Sequence, residues 1–221
     1  RPRRFGKSLL VSMLECYYDR NRRDQFERLF EGTWIYDHPT PEQGQYLVLR
    51  LDFSMVFAQS DRVEASFDGH GSIALDGFLY RYADCLPEDR VADIRRQPNF
   101  NLRFGHLLQV MADEQLPFYL FIDEYDHFAN NLLATEGRES YQRLTHGGGF
   151  FKHFFALLKG ATGQSGSGLK RLYLTGVSPL VLDDVTSGFN ILRNLTLEPA
   201  FAEYYQDFRS GRLISGNMGV S

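Results

Sequence analysis

The sequence predicts an α/β layered fold with a mostly parallel sheet, and three observations carry that reading. Strand-like and helix-like stretches alternate along the chain, the pattern that builds parallel strands through helical crossovers. FYLFIDEYD, Phe118 to Asp126, opens on a run of bulky apolar residues, as a strand buried on both faces requires. Polar residues gather just after the apolar runs, and in open α/β sheets ligands bind outside the carboxyl ends of the strands.

The first helix is read from Leu9, Leu10, Met13, Leu14, Tyr17 and Tyr18, whose spacing places them on one face at 3.6 residues per turn. Ser8 then falls in its first turn. YLVLRLDFS, Tyr46 to Ser54, sets Leu47, Leu49, Leu51 and Phe53 against Val48, Arg50 and Asp52, the alternation of a strand. A mostly helical middle follows, interrupted at DGHGS by its glycines and His70 and again at Pro87, with SIALDGFLYRYADCL and NLRFGHLLQVMADEQ as the better helical segments. Pro117 introduces the strand FYLFIDEYD. Phe150, Phe151, Phe154, Phe155 and Leu158 line one face of a further helix and are read as core. The flexible run GQSGSG leads into KRLYLTGVS, a third strand that ends in Thr175 and Ser178. No internal repeat is present.

The chain has 221 residues, enough for one large domain. Hydrophobic residues make up 43% and aromatics 14%, with 19 Phe and 12 Tyr, which supplies a core and argues against disorder. A net charge of −4 gives no overall drive toward nucleic acid or an anionic membrane. Cys16 and Cys85 lack metal-ligand spacing, so a reducing cytoplasm is expected rather than a disulfide framework. No apolar run is long enough to span a bilayer.

The chemistry is concentrated in two short motifs. Gly6, Lys7 and Ser8 supply the second half of GxxxxGK[ST], a turn whose backbone N–H groups cradle phosphates. Arg1 stands where the leading glycine belongs. Lys7 would place a charge on the outer phosphates and Ser8 a hydroxyl on Mg²⁺. Far downstream, an apolar strand runs into Asp123 and Glu124. The first carboxylate suits support of Mg²⁺ through water, and the second suits orientation of an attacking water. Thr175 sits at the end of the neighbouring strand, placed to sense the water or the γ-phosphate, with Ser178 as a second candidate. Either hydroxyl is equally suited to capping a turn.

Other signals are weaker. HGGG, His146 to Gly149, resembles an oxyanion-hole sequence, but no GxSxG nucleophile elbow accompanies it. His146 and His153 lack a third ligand for zinc. Asp52 and Ser54 are candidates for an outer role around the site or for a turn cap. Arg3 and Arg4 flank the phosphate loop, where they offer charge to the γ-phosphate or pair with surface carboxylates.

RPRRFGKSLL, LRLDFS, FIDEYD, FFALLK, LYLTGVSP and SGFNILRNLTLEPAFA, in that order from Arg1 to Ala202, resemble the AAA-ATPase-like family, a prokaryotic group of P-loop ATPases often fused to a PD-(D/E)XK nuclease domain. The resemblance implies a three-layer P-loop NTPase fold of the additional-strand class. It also implies that RPRRFGKS replaces the leading glycine as a family trait. By the same resemblance Arg3, Arg4, Phe5, Gly6, Lys7 and Ser8 form the phosphate site, Ser8 and Asp123 serve Mg²⁺, Glu124 activates water and Thr175 is the sensor. The family's first strand, central in the sheet, is expected before Arg1 and is missing. The tail SGRLISGNMGVS lacks the lid and nuclease that would follow. Residues 1–221 are therefore expected to be a single domain truncated at both ends, with an unpaired edge on the strand bearing Asp123 or on its neighbour bearing Thr175.

The expected function is an ATP-binding and ATP-hydrolysing module, cytoplasmic, that acts as a nucleotide-driven switch for an attached or partner effector. Nucleic acid is involved only indirectly, no membrane is involved, and a homo-oligomer is left open. The alternative is a nucleotide-sensing or protein-interaction module with little or no hydrolysis. A P-loop kinase is disfavoured, since Glu124 beside Asp123 suits water activation and no acceptor pocket is legible.

Overall fold

A computed structural model describes residues 7–163 and 166–177, together with Arg193 and Leu195. Three strands, β1 (Leu47–Asp52), β2 (Phe118–Asp123) and β3 (Leu169–Leu174), form a parallel sheet in the order β1-β2-β3. Leu47 pairs with Phe118 and Asp52 with Asp123, so both strands end level. The pairing of β2 with β3 shifts register between Phe118 and Tyr119 and then carries Ile122 alongside Leu174. All six residues of β2 are buried, as expected for a strand hydrogen-bonded on both sides and covered on both faces. Among the described residues β2 is paired on both sides, while β1 and β3 each have β2 as their one neighbour.

Alternation along the strands sorts side chains into two cores. Leu47, Leu49, Leu51, Phe118, Leu120 and Ile122 belong to the larger one. It is closed by α4 (Val63–Arg81), α6 (Phe100–Asp113) and α9 (Phe150–Gly163). Val48, Tyr119 and Phe121 face the other way and pack with Val11 of α1 (Lys7–Tyr18). Helices therefore cover the sheet on both faces.

The larger core is aromatic. Phe67 meets Phe53, Phe100, Phe128 and Phe154 at ring-centroid distances of 5.2 to 6.2 Å. Each such ring contributes about 1.5–3 kcal/mol by burial, which explains why the Phe-rich face of the helix from Phe150 turns inward. Phe151, Phe154, Phe155 and Leu158 are buried as expected, and Phe150 is half-buried.

Several local features explain where helices start and stop. Asn99 caps α6 by accepting from the Leu102 N–H at 3.0 Å, satisfying one of the free donors of the first turn. Short helical turns fill the span from Arg20 to Asp37. α5 (Glu88–Arg96) follows Pro87. Between β2 and α9 lie α7 (His127–Glu136) and α8 (Arg138–Thr145), which the motifs do not announce. Gly137, with φ of 84°, divides them, a backbone conformation that glycine adopts without penalty.

The expected interruption at DGHGS is corrected by the structure. α4 runs unbroken from Val63 to Arg81 through Gly69, His70 and Gly71. The reason is packing: a Cβ at Gly71 would lie 2.5 Å from the Phe100 ring, so glycine there allows α4 and α6 to touch. Tertiary contact offsets the helix propensity that glycine forfeits.

Cys16 and Cys85 are free thiols. Burial, followed by the charge of Asp84, pushes the Cys85 thiol pKa up. No described helix is long and apolar enough to cross a membrane.

Two glycines of α4 give a matched test of this packing. Gly71→Ala should destabilise the chain by about 1–3 kcal/mol through overpacking. Gly77→Ala, with open space around its Cβ, should be neutral or stabilising by about 0.5–1 kcal/mol. Urea denaturation of both variants reads the difference, and equal effects would remove Gly71 as the contact point.

Candidate functional site

The level ends of β1 and β2 and the start of α1 meet at the carboxyl edge of the sheet. Asp123, the last residue of β2, is 1% exposed. A buried carboxylate demands partners, and it has two. The Thr175 hydroxyl, immediately after β3, donates to Oδ1, and Arg50 of β1 donates from Nη2 to Oδ2 at 2.9 Å. Arg50 also donates from Nη1 to Ser12 Oγ at 3.0 Å and lies 3.5 Å from Glu15 Oε2, both on α1. The carboxylate thus draws all three strands and α1 together.

Glu124 follows in an unusual backbone state, with φ of 53°. A non-glycine residue in the left-handed region costs roughly 1 kcal/mol, and such residues gather where a side chain must be aimed. Its N–H contacts Thr175 Oγ1 at 3.4 Å, and its carbonyl accepts from the His127 N–H at 3.0 Å. The side chain meets Lys7, whose Nζ is 3.0 Å from Oε1. On the other side His127 Nδ1 lies 4.0 Å from Oε2.

Lys7 is the first residue of α1 and is nearly buried. A cation at a helix N-terminus faces the positive end of the helix dipole, a placement that disfavours the helix by about 0.3–1 kcal/mol. No acidic residue in the first turn offsets it. Glu124 supplies the nearby negative charge from another element.

The turn after β2 is locked to the exit of β3. The Tyr125 N–H donates to the Thr175 carbonyl at 3.0 Å, and the Thr175 N–H donates to the Ile122 carbonyl at 2.8 Å. Asp126, fully buried, accepts from the Val177 N–H at 3.0 and 3.1 Å and from Asn130 Nδ2 at 2.8 Å. Between these bonds Gly176 passes so close that a Cβ would lie 2.4 Å from the Tyr125 ring.

The structure therefore brings together Lys7, Asp123, Glu124 and Thr175. Ser8 lies in the first turn of α1 and is exposed, while its carbonyl accepts from Ser12 Oγ at 2.9 Å. Arg3, Arg4, Phe5, Gly6 and Ser178 lie outside the described residues. Asp52 is exposed and accepts from the Ser54 N–H at 2.9 Å, which makes the pair a turn cap. His146 bonds its neighbour Thr145 at 2.8 Å.

Arg50, His127 and Asp126 were not picked out by motif. Arg50 carried a signal: a guanidinium inside an apolar alternating strand needs a buried anion opposite it. His127 carried none.

No group of three or more His, Cys, Asp or Glu able to hold a metal occurs among the described residues. A hydroxyl from Ser8 and a carboxylate from Asp123 are hard oxygen donors that fit Mg²⁺, which keeps several waters and relies on substrate phosphates for further ligands.

These features define a class: an α/β protein with a three-stranded parallel sheet and a lysine at a helix start paired with the acidic residue that follows the central strand. The family described as Predicted AAA-ATPase matches residues 1–186, and the chain belongs to this AAA-ATPase-like family. Neither a curated protein nor a solved structure gives a significant match.

Thr175→Val tests how the site is held. Removing the hydroxyl leaves Oδ1 of a buried carboxylate short of a donor and should cost about 1–3 kcal/mol. A urea titration showing unchanged stability would mean that Asp123 does not depend on this bond.

Proposed function

We propose that the chain is a P-loop module of the three-layer, additional-strand type that binds ATP with Mg²⁺ and hydrolyses it to ADP and phosphate. The observation that carries this reading is the Lys7–Glu124 pair, a helix-start lysine held against the acidic residue that follows Asp123. The family membership supports nucleotide use. Residues 1–221 act as a single domain in this reading.

Each residue has a part. Arg3, Arg4, Phe5, Gly6, Lys7 and Ser8 cradle the phosphates, with the Lys7 ammonium on the outer ones. Binding exchanges Glu124 for phosphate at Lys7 and frees the Glu124 carboxylate. Glu124 then accepts a proton from the attacking water as the bond between the γ-phosphorus and the ADP oxygen breaks. Thr175, bonded to Asp123 and close to the Glu124 N–H, links the two acidic residues and senses the γ-phosphate. Ser8 and Asp123 would hold Mg²⁺, which supplies charge neutralisation on the phosphates.

Switching follows from the same turn. Asp126 grips the Val177 N–H, so a movement at Glu124 is passed to the chain after β3. An attached or partner effector, such as a nuclease domain, would read it there in a cytoplasmic and optionally homo-oligomeric protein. Contact with nucleic acid would then be indirect.

A second reading has its own support. Glu124 is paired with a lysine, and a base so engaged is not available to water. If the exchange is incomplete, the chain binds ATP as a sensor and turns over little.

Lys7→Ala should weaken binding of a fluorescent ATP analogue while preserving the cooperative melt. Unchanged affinity would remove the phosphate site. Glu124→Gln should keep binding and slow phosphate release roughly 10²-fold or more. Wild-type turnover in that variant would exclude Glu124 as the base, and absence of turnover in the wild type with intact ATP binding would favour the sensor.

A further inference from the structure

Arg50 has no assigned role, yet it holds the residue placed to support the metal. It stands in the middle of β1 between Leu49 and Leu51, on the face of the sheet that packs against α1. Its guanidinium makes two kinds of contact. Nη2 donates to Asp123 Oδ2 at 2.9 Å. Nη1 reaches α1, donating to Ser12 Oγ at 3.0 Å and approaching Glu15 Oε2 at 3.5 Å.

We propose that Arg50 is a positioning residue that occupies Asp123 Oδ2, weakens the attraction of the site for a free divalent cation, and so makes metal entry depend on the phosphates that accompany it. The proposal rests on the nucleotide-binding reading given above.

The argument is one of charge and of available lone pairs. An ionised carboxylate accepts at about four lone-pair sites. Here Oδ1 takes the Thr175 hydroxyl and Oδ2 takes Arg50. A guanidinium in direct contact cancels most of the field that a carboxylate presents to a cation, because both charges lie where water screens them poorly. A metal arriving with a nucleoside triphosphate brings its own anionic ligands and depends less on Asp123.

The second half of the role is geometric. Ser12 bonds the Ser8 carbonyl at 2.9 Å, so the contact of Arg50 with Ser12 connects Asp123 to the turn of α1 that carries Ser8. Arg50 sets the two proposed metal donors in a fixed relation through β1. Glu15 shares the guanidinium and draws part of its charge away from Asp123.

A purely structural ion pair makes a different prediction from this one. If Arg50 only neutralised a buried charge, its loss would lower stability, and a change of charge at Glu15 with Arg50 left in place would leave cation affinity unchanged. The test is direct binding of free Mn²⁺, a paramagnetic stand-in for Mg²⁺, to the 221-residue chain without nucleotide, read by electron paramagnetic resonance. Arg50→Met should bind Mn²⁺ about tenfold more tightly than wild type, the scale of losing one charged hydrogen bond. Arg50→Lys should restore weak binding, and Asp123→Asn added to Arg50→Met should abolish the gain. Glu15→Gln leaves Arg50 in place and concentrates its charge on Asp123, so it should weaken Mn²⁺ binding further. Unchanged or weaker Mn²⁺ binding by Arg50→Met, in a variant that still melts cooperatively, overturns the proposal. Where that variant does not melt cooperatively, Glu15→Gln decides, and unchanged or tighter binding overturns it. The wild type's affinity for Mn²⁺ with ATP separates the two levels. If the wild type binds the complex while Arg50→Met shows no gain, only the role of Arg50 falls. If it binds neither free Mn²⁺ nor the complex, the nucleotide reading falls as well.

Discussion

A carboxylate with almost no exposure to water, Asp123, fixes the arrangement of the carboxyl edge of the sheet. Leaving such a group unpartnered would cost several kcal/mol, and no single neighbour satisfies both of its oxygens. Donors therefore arrive from both adjacent strands, Arg50 from β1 and Thr175 after β3. Parallel pairing makes this possible, since it brings the ends of all three strands to the same side. Each donor has a further duty: Arg50 reaches back to α1, and the Thr175 oxygen faces the N–H of Glu124.

The two faces of the sheet divide the work. The face toward α4, α6 and α9 is a large, dry aromatic layer, whose close-packed rings resist deformation. The face toward α1 is a small cluster with tyrosines at its margin. Burial pushes the Tyr119 hydroxyl pKa up, with Tyr18 and Tyr173 adding to it. Lys7, Asp123 and Glu124 stand at the end of the thinner layer, against a rigid support. Loops placed on rigid scaffolds carry chemistry for this reason.

Much of the architecture was legible because period and burial agree. The run before Asp123 is apolar at every position, and β2 is buried at every position. The residues Lys7, Asp123, Glu124 and Thr175 could be named because their neighbours in sequence form motifs. Arg50 was harder to read, because its partner lies across the sheet and no local spacing reports that pairing. The helix through Gly71 was misjudged for a similar reason: glycine speaks for a break locally, whereas the decisive fact is the ring of Phe100. The left-handed φ of Glu124 is likewise absent from the residue type, since glutamate has no preference for it. α7 and α8 are short and divided by Gly137, so neither carries an apolar period long enough to announce it.

The close passage of Gly176 has a consequence for how this protein can diversify. Its missing side chain leaves the space filled by the Tyr125 ring and by the Asp126 carboxylate. A methyl group at 176 would require both the ring at 125 and the carboxylate at 126 to give way, and either change alone would open a void or strand a polar atom. The three positions are thus one inherited unit despite their separation along the chain, and drift at any of them must pass through a less fit intermediate unless two changes arrive together. Variation among relatives should therefore be concerted at these sites, as a property of steric exclusion alone.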